Sequence, residues 1–239
     1  MSVRSLWVEP ERSEQPIEWA ALECHDVFKI FRSGPAETVA LRGLDLRVER
    51  AELVAVVGPS GSGKSTFLSL AAGLDEPSAG EVRAFGSSLA RSDEAQLAAY
   101  RAREVAIVFQ SDNLWPALSA HENVAASLRL AGKAAPRSEV DDALAAFGMR
   151  ERSHQRAALL SGGEQQRAAI AAAAARRAPL VLADEPTGEL DERNESAVLE
   201  ALRALRSRFG STVVVVTHSR RVADAADRTI EMRDGRVAV

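Results

Sequence analysis

The stretch Gly58–Ser65, GPSGSGKS, decides the fold of this 239-residue chain. It follows the wholly apolar run LVAVV at 53–57 and precedes a helical pattern from Thr66 to Ala72. The spacing fits the phosphate-loop pattern G-x-x-x-x-G-K-[ST] at every fixed position. A buried strand, a glycine-rich loop and a helix in this order predict the start of an α/β unit.

Phosphate binding explains why the loop has this composition. Glycines let the loop wrap so that consecutive backbone N–H groups face phosphate oxygens, and the next helix adds its positive N-terminal end. We expect Lys64 to reach the β- and γ-phosphates and the Ser65 hydroxyl to ligate Mg²⁺. A plain Gly/Ser-rich turn leaves the flanking strand and helix unexplained. The predicted phosphate-binding residues are Gly58, Pro59, Ser60, Gly61, Ser62, Gly63, Lys64, Ser65 and Thr66.

A second apolar run, LVLA at 180–183, ends in two carboxylates. Asp184 is placed to hold Mg²⁺, directly or through water. Glu185 points elsewhere and can act as the general base for the attacking water. Acidic pairs are common at solvated strand ends, so the assignment depends on the phosphate loop upstream.

Composition excludes several classes of protein. Hydrophobic residues make up 46% and charged residues 27%, an ordinary globular balance, and the net charge of −4 gives no reason to expect a nucleic-acid partner. Cys24 is the one cysteine, which predicts a reducing compartment and a small buried hydrophobe. No run approaches the ~20 apolar residues of a membrane helix. If the protein works at a membrane, it must dock onto a partner that spans it.

The chain is predicted to form a flexible tail over 1–18 and a single domain over 19–239. Strand and helix signals alternate in 19–90 and 161–239, which indicates the catalytic core. The range from about 91 to 160 is mostly helical and is predicted to be an inserted subdomain, although VAIVF within it has the character of a buried strand.

Several shorter elements are predicted from periodicity. Apolar residues recur at helical spacing over 140–147 and 194–209, and 123–130 is similar. The β-branched run 212–216 predicts a strand, and Asp234-Gly235 between two short runs predicts a hairpin.

The stretch Leu160–Arg167, LSGGEQQR, opens a helix with two glycines, although glycine weakens a helix by roughly 1 kcal/mol relative to alanine. One interpretation is local, with Ser161 as an N-cap and the glycines as a turn. The other is that the bare backbone at this helix start meets a negatively charged group.

GPSGSGKS, LSGGEQQR, LADEP and a later isolated histidine, in that order, resemble the nucleotide-binding subunit of an ATP-binding cassette (ABC) transporter. The resemblance runs from about residue 20 to the end, and LSGGEQQR is its most specific part. It implies a P-loop NTPase (RecA-like) ABC ATPase core with an antiparallel β subdomain and a helical subdomain insertion. It also implies hydrolysis of ATP with Mg²⁺.

The resemblance favours the second interpretation of LSGGEQQR. It implies that this helix start in one subunit faces the γ-phosphate held by the phosphate loop of a second subunit. Ser161, Gly162, Gly163 and Glu164 are then nucleotide-binding residues, and the glycines permit close approach.

Other residues take their roles from the resemblance position by position. Gln110 matches a glutamine that contacts Mg²⁺ or the attacking water, and His218 matches a histidine that contacts the γ-phosphate. Asp191 matches a loop aspartate that communicates across the dimer. Phe31 falls where an aromatic ring stacks on adenine, with Phe28 as a substitute. The implied catalytic residues are Glu185, His218, Lys64 and Gln110.

Within the family, the chain is most similar to the lipoprotein-releasing, macrolide-exporting and cell-division ATPases. The implied partners are a second ATPase subunit, identical or homologous, and an integral membrane permease, at the cytoplasmic face of the membrane. Departures from the pattern are Glu189, where asparagine is frequent, Ala172, where arginine is frequent, and Ser219, where aspartate is frequent. The alternatives are an importer ATPase, a soluble ABC ATPase without transport, and an inactive nucleotide-dependent scaffold.

Overall fold

The computed structural model describes residues 19–33 and 36–238, so the predicted tail over 1–18 lies outside the described part of the chain. These residues form two β-sheets and seven α-helices. The strands are β1 (Leu22–Ser33), β2 (Ala36–Val48), β3 (Leu53–Val57), β4 (Ala79–Ala84), β5 (Ser87–Ser88), β6 (Val105–Val108), β7 (Leu180–Asp184), β8 (Thr212–Val216), β9 (Arg228–Arg233) and β10 (Arg236–Val237). The helices are α1 (Lys64–Ala71), α2 (Glu94–Arg103), α3 (Ala120–Leu130), α4 (Arg137–Ala146), α5 (Gly162–Arg176), α6 (Glu192–Phe209) and α7 (Arg220–Ala225).

The larger sheet has six strands in the order β10-β9-β3-β8-β7-β6. All neighbours pair in parallel except the β9–β10 hairpin, which forms where Asp234-Gly235 predicts it. Both faces of the sheet are covered, which explains why β3 is wholly apolar and why β7 and β8 are apolar except at their ends, Asp184 and Thr212. In β7, Leu180 and Leu182 belong to one hydrophobic cluster and Val181 and Ala183 to the other.

The smaller sheet is antiparallel, in the order β2-β1-β4-β5. Its inner face shares one hydrophobic cluster with α1 and the larger sheet, as shown by Leu41, Phe67 and Val56. Cys24 lies in this cluster and is 2% exposed, and burial raises the pKa of its thiol to about 12. It is therefore the small buried hydrophobe that the sequence predicts.

Helices α3, α4, α5 and α6 pack together on the other face of the larger sheet. Val140, Ala143 and Leu144 are buried as their spacing predicts, and Phe147 follows at the C-cap of α4. The range 91–160 also supplies β6, which pairs with β7 and is the edge strand of the larger sheet. A boundary at about residue 91 therefore does not separate the helices from the sheet.

Candidate active site

The loop between β3 and α1 needs glycine where the chain packs most tightly. Gly63 has φ +97°, and a Cβ there would lie 2.6 Å from the Ala40 carbonyl oxygen. Gly58 has φ +150°, and a Cβ there would lie 2.1 Å from the Met232 carbonyl oxygen. These glycines let the loop fit between β2 and β9 in a backbone conformation that other residues rarely adopt.

Lys64 folds back over the loop that precedes it. Its Nζ donates hydrogen bonds to the carbonyl oxygens of Gly58, at 2.8 Å, and Pro59, at 2.9 Å. The residue is only 6% exposed, so its charge is held against the loop by contacts with the backbone. Ser62 is also buried, and within the described residues its Oγ has no hydrogen-bond partner.

A cavity of about 550 Å³ opens beside the loop and brings most of the predicted site residues together. Its predicted members are Phe31, Ser60, Gly61, Gly63, Lys64, Ser65, Thr66, Gln110, Asp184, Glu185 and His218. Sequence reasoning missed Thr38, Val39 and Ala40 of β2, which form one wall. No local pattern marks them, because they reach the cavity only through the packing of the antiparallel sheet on the loop.

The acidic pair lies where parallel strands end. Glu185 follows β7 with φ +46°, and its N–H donates to the Val216 carbonyl at 2.9 Å. Its Oε2 accepts from the His218 backbone N–H at 3.1 Å, and its Oε1 lies 3.1 Å from His218 Nε2. That second contact has ion-pair distance without hydrogen-bond geometry. The predicted base and the predicted γ-phosphate contact are therefore direct neighbours.

Gln110 is fixed by two residues that sequence reasoning did not assign. Gln166 of α5, 3% exposed, donates through Nε2 to the carbonyl oxygens of Phe109, at 2.9 Å, and Gln110, at 2.6 Å. The Gln110 side chain donates through Nε2 to Glu189 Oε1 at 3.1 Å. The buried amide of Gln166 needs such partners, but LSGGEQQR does not by itself show which of its two glutamines is buried.

Ser161 is the N-cap of α5, as the local interpretation expects. Its Oγ accepts from the Glu164 N–H at 3.3 Å, and Glu164 Oε2 accepts from the Ser161 N–H at 2.9 Å, a capping box. Burial acts to raise the pKa of Glu164, but the hydrogen bonds from Ser161 and the charge of Arg152, 3.1 Å away, lower it overall.

The two glycines lie inside the helix and do not form a turn, so that part of the local interpretation is wrong. A Cβ on Gly163 would lie 2.5 Å from Asn194 Oδ1 of α6, and one on Gly162 would lie 3.3 Å from a Leu190 methyl group. Gly163 thus has an intramolecular reason to be glycine, in addition to any contact with a ligand.

Ser161 and Glu164 line a different cavity, of about 910 Å³, which Asp191 shares. Asp191 N-caps α6 by accepting from the Asn194 N–H at 2.8 Å. Among the described residues, this cavity and the one beside the phosphate loop have no lining residue in common. Within one chain, the helix start at Ser161 therefore does not complete the pocket around Lys64.

Phe31 is the aromatic residue placed to stack on a flat ligand. Its ring is 45% exposed at the cavity wall, with Lys29 Nζ 5.0 Å from the ring centroid. Phe28 is half-buried against Gly43 and does not line the cavity. The geometry therefore favours Phe31 over Phe28.

Oxygen atoms suited to a hard divalent cation converge in the same cavity. Ser65 supplies a hydroxyl, Gln110 an amide and Asp184 a carboxylate, and all three line the cavity. These are the ligand types that Mg²⁺ takes beside a nucleotide phosphate. The residues present fit a Mg²⁺ ion.

Comparison with known proteins identifies the family. The sequence profile described as "ABC transporter" matches residues 41–188. The lipoprotein-releasing system ATP-binding protein LolD of Anaeromyxobacter dehalogenans is 43% identical over 93% of this chain and 95% of its own length. The macrolide export ATP-binding/permease protein MacB of an Azoarcus species is 43% identical over 90% of this chain, which spans about a third of that protein.

A solved structure gives the same result. A dimeric ATP-binding cassette in a post-hydrolysis state, bound to ADP and Pi, superposes with a TM-score of 0.84 at 35% identity, covering 91% of this chain and 97% of that one. The predicted family, fold class and ATPase activity are confirmed. The chain belongs to the ABC transporter family, as one of its ATP-binding cassettes.

Proposed function

We propose that the chain works as one half of a dimer, in which two ATP molecules lie between the phosphate loop of one subunit and the Ser161 helix start of the other. The supporting observation is that the two groups of residues line separate cavities of one chain. The similar solved cassette is itself dimeric, with ADP and Pi bound. The partner subunit is a second copy or a homologue.

Each half of this site has its own task. The backbone N–H groups of the phosphate loop after Pro59 and the Lys64 ammonium bind the β- and γ-phosphates, and Phe31 stacks on adenine. From the other subunit, Ser161, Gly162 and Gly163 offer a hydroxyl and the positive end of α5 to the γ-phosphate. Glu164 holds Ser161 in place, and Asp191 lies beside them at the dimer surface.

Hydrolysis needs a general base for the attacking water, a hydrogen-bond donor for the negative charge on the phosphate oxygens, and a cation. Ser65, Asp184 and Gln110 would hold Mg²⁺, which would neutralise phosphate charge in the transition state. Glu185 takes a proton from the attacking water while the oxygen of that water bonds to the γ-phosphorus. The bond between the γ-phosphorus and the ADP oxygen breaks in the same step. Before this step, when ATP binds, His218 exchanges its contact with Glu185 for one with the γ-phosphate. ATP favours the closed dimer only through contacts made there.

A groove of about 410 Å³ is suited to a membrane partner. Leu114, Trp115, Leu130, Ala131 and Ala172 line it, and Trp115 and Leu130 are 51% and 67% exposed. It reaches the Gln110 segment through Asn113, whose Oδ1 accepts from the Phe109 N–H at 2.7 Å. We infer that a permease binds here at the cytoplasmic face of the membrane.

The names of the relatives support a function in export or lipoprotein release.

The variant Glu185→Gln tests the proposal, because it keeps the shape of the side chain and removes the base. ATP with Mg²⁺ should convert it from monomer to a stable dimer in light scattering, while ATP turnover falls by about 10²-fold or more. The unaltered protein should dimerise only transiently. A Glu185→Gln protein that turns over ATP normally, or binds ATP tightly as a monomer, would overturn the proposal.

A further inference from the structure

Glu189 is the contact that fixes the side chain of Gln110. Gln110 Nε2 lies 3.1 Å from Glu189 Oε1, across 79 residues of sequence. The backbone of the segment after β7 also runs close to this amide, since a Cβ on Gly188 would lie in ordinary van der Waals contact with the same nitrogen, at 3.5 Å. The Gln110 backbone is held separately, by Gln166, so Glu189 acts on the side-chain amide alone.

The chemistry of the pair decides which end of the amide is free. An ionised carboxylate only accepts hydrogen bonds, whereas an amide has a donating nitrogen and an accepting oxygen. Beside Glu189, the amide of Gln110 must present its NH₂ group to the carboxylate. Its Oε1 is then left for the cavity that Ser65 and Asp184 also line. An oxygen there can ligate Mg²⁺ or accept a hydrogen bond from water, and an NH₂ group can do neither.

We propose that Glu189 is a positioning residue, which selects the orientation of the Gln110 amide that exposes Oε1 to the nucleotide site. The inference rests on the proposed function of Gln110 and adds to it the residue that orients it. A neutral amide side chain at position 189 would donate as well as accept, so it would not select between the two orientations. The ionised carboxylate of Glu189 can only accept, so it favours the one orientation of the Gln110 amide in which the NH₂ group faces it.

The position of Glu189 also connects the two halves of the site. It lies four residues after Glu185, the proposed base, and two residues before Asp191, which lines the second cavity. Gln110 and Glu185 line a further cavity, of about 450 Å³, together with Gly188 and Leu190 on either side of Glu189. The hydrogen bond thus ties the segment after β7 to the segment after β6.

The test is a double-mutant cycle on ATP turnover, in the full chain with ATP and Mg²⁺. Glu189→Gln should lower kcat roughly 3- to 10-fold, because a freed glutamine side chain must be re-ordered in each turnover. The KM for ATP and the melting temperature should stay unchanged, and the Mg²⁺ concentration for half-maximal activity should rise. Glu151→Gln, the same chemical change at an exposed position of the helical region, is the matched control and should have no effect.

The second arm separates positioning from a general structural role. If Glu189 acts through Gln110, Glu189→Gln should have no further effect in a Gln110→Ala background. An equal loss in both backgrounds, or no loss in the unaltered background, would overturn the inference and leave the role of Gln110 standing. Full activity of Gln110→Ala would instead overturn that role, and the inference with it.

Discussion

Gly163 lies two residues into α5 and faces Asn194 of α6 across a gap too small for a methyl group. Gly162, its neighbour, faces only the end of a Leu190 side chain, which can move aside. The two glycines of LSGGEQQR therefore have different reasons to be glycine. The intramolecular reason was not visible in the sequence, because α6 begins thirty residues later.

Alanine substitutions should separate these two reasons. Gly163→Ala should destabilise the fold by about 1–3 kcal/mol through overpacking, which lowers Tm by roughly 2–10 °C in a chain of this size. Gly162→Ala is the control: it gains the same helix propensity without the overpacking, so its Tm should be unchanged or slightly higher. Thermal unfolding by circular dichroism measures both. Equal losses for the two variants would contradict the packing assigned to Asn194.

Lys64 carries the largest single contribution expected for phosphate binding. Replacing it with alanine removes charge-assisted hydrogen bonds worth about 1.5–3 kcal/mol, so ATP affinity should fall by roughly 10- to 100-fold. Titration with a fluorescent ATP analogue measures this loss. Lys133→Ala removes an exposed lysine whose Nζ contacts the Arg176 carbonyl, away from the nucleotide cavity, and is the control. An unchanged affinity in Lys64→Ala would contradict the site.

The capping box predicts an effect of pH on stability. The folded-state pKa of Glu164 lies below its ordinary value of 4.5, so its ionised form stabilises the fold. That contribution is complete above the unfolded-state pKa and is lost as the pH falls through the folded-state pKa. The gap in urea midpoint between the unaltered protein and Glu164→Gln should therefore close below about pH 4.5. A gap that stays constant down to pH 3.5 would contradict this account.

At the scale of elements, the buried Gln166 joins α5 to the segment that follows β6. Its amide donates to two backbone carbonyls and accepts from Asn113 Nδ2 at 3.2 Å. Gln166→Leu keeps much of the volume and leaves those partners without hydrogen bonds, which should cost about 2–4 kcal/mol of the free energy of unfolding. Gln165→Leu, beside it and less buried, is the control for the urea titration. Equal effects of the two variants would contradict the role of Gln166.

The elements that the sequence predicts well are those with a local pattern. The helices containing Val140 and Val198 and the strand Thr212–Val216 follow from periodicity and β-branching alone. The antiparallel sheet and the six-strand order follow from no local pattern, since both depend on pairings between distant residues. The contact between Gln110 and Glu189 is of the same kind, because either residue alone reads as an exposed polar side chain.

At the scale of the whole molecule, the groove beside Trp115 is open to solvent within the residues that the structure describes. Within 19–33 and 36–238, no helix is both long and apolar enough to cross a membrane. We infer that a membrane protein binds in this exposed groove. Ala172 lies in its wall, at a position where the family frequently has the larger arginine, so the groove is wider here.

Leu130→Glu should release the chain from membranes without loss of its ATPase activity. Glutamate at this position removes one of the exposed apolar side chains of the groove and adds a charge that must lose water on docking, whereas the nucleotide cavity does not include this residue. Leu74→Glu is the matched control, since Leu74 is 53% exposed outside the groove. Fractionation of cells that express each tagged variant gives the bound share. Equal binding of both variants would contradict the groove as the docking surface.

The division of one nucleotide site between two subunits is tested most directly by crosslinking two different copies. One copy carries Ser161→Cys and the other carries Ser60→Cys, and both also carry Glu185→Gln. The crosslinker is a short bismaleimide. Cys24 does not compete for it, because Cys24 is buried and burial raises the pKa of its thiol to about 12. We predict a covalent heterodimer that forms only with ATP and Mg²⁺. A crosslink inside single chains that carry both cysteines, with none between copies, would contradict the account.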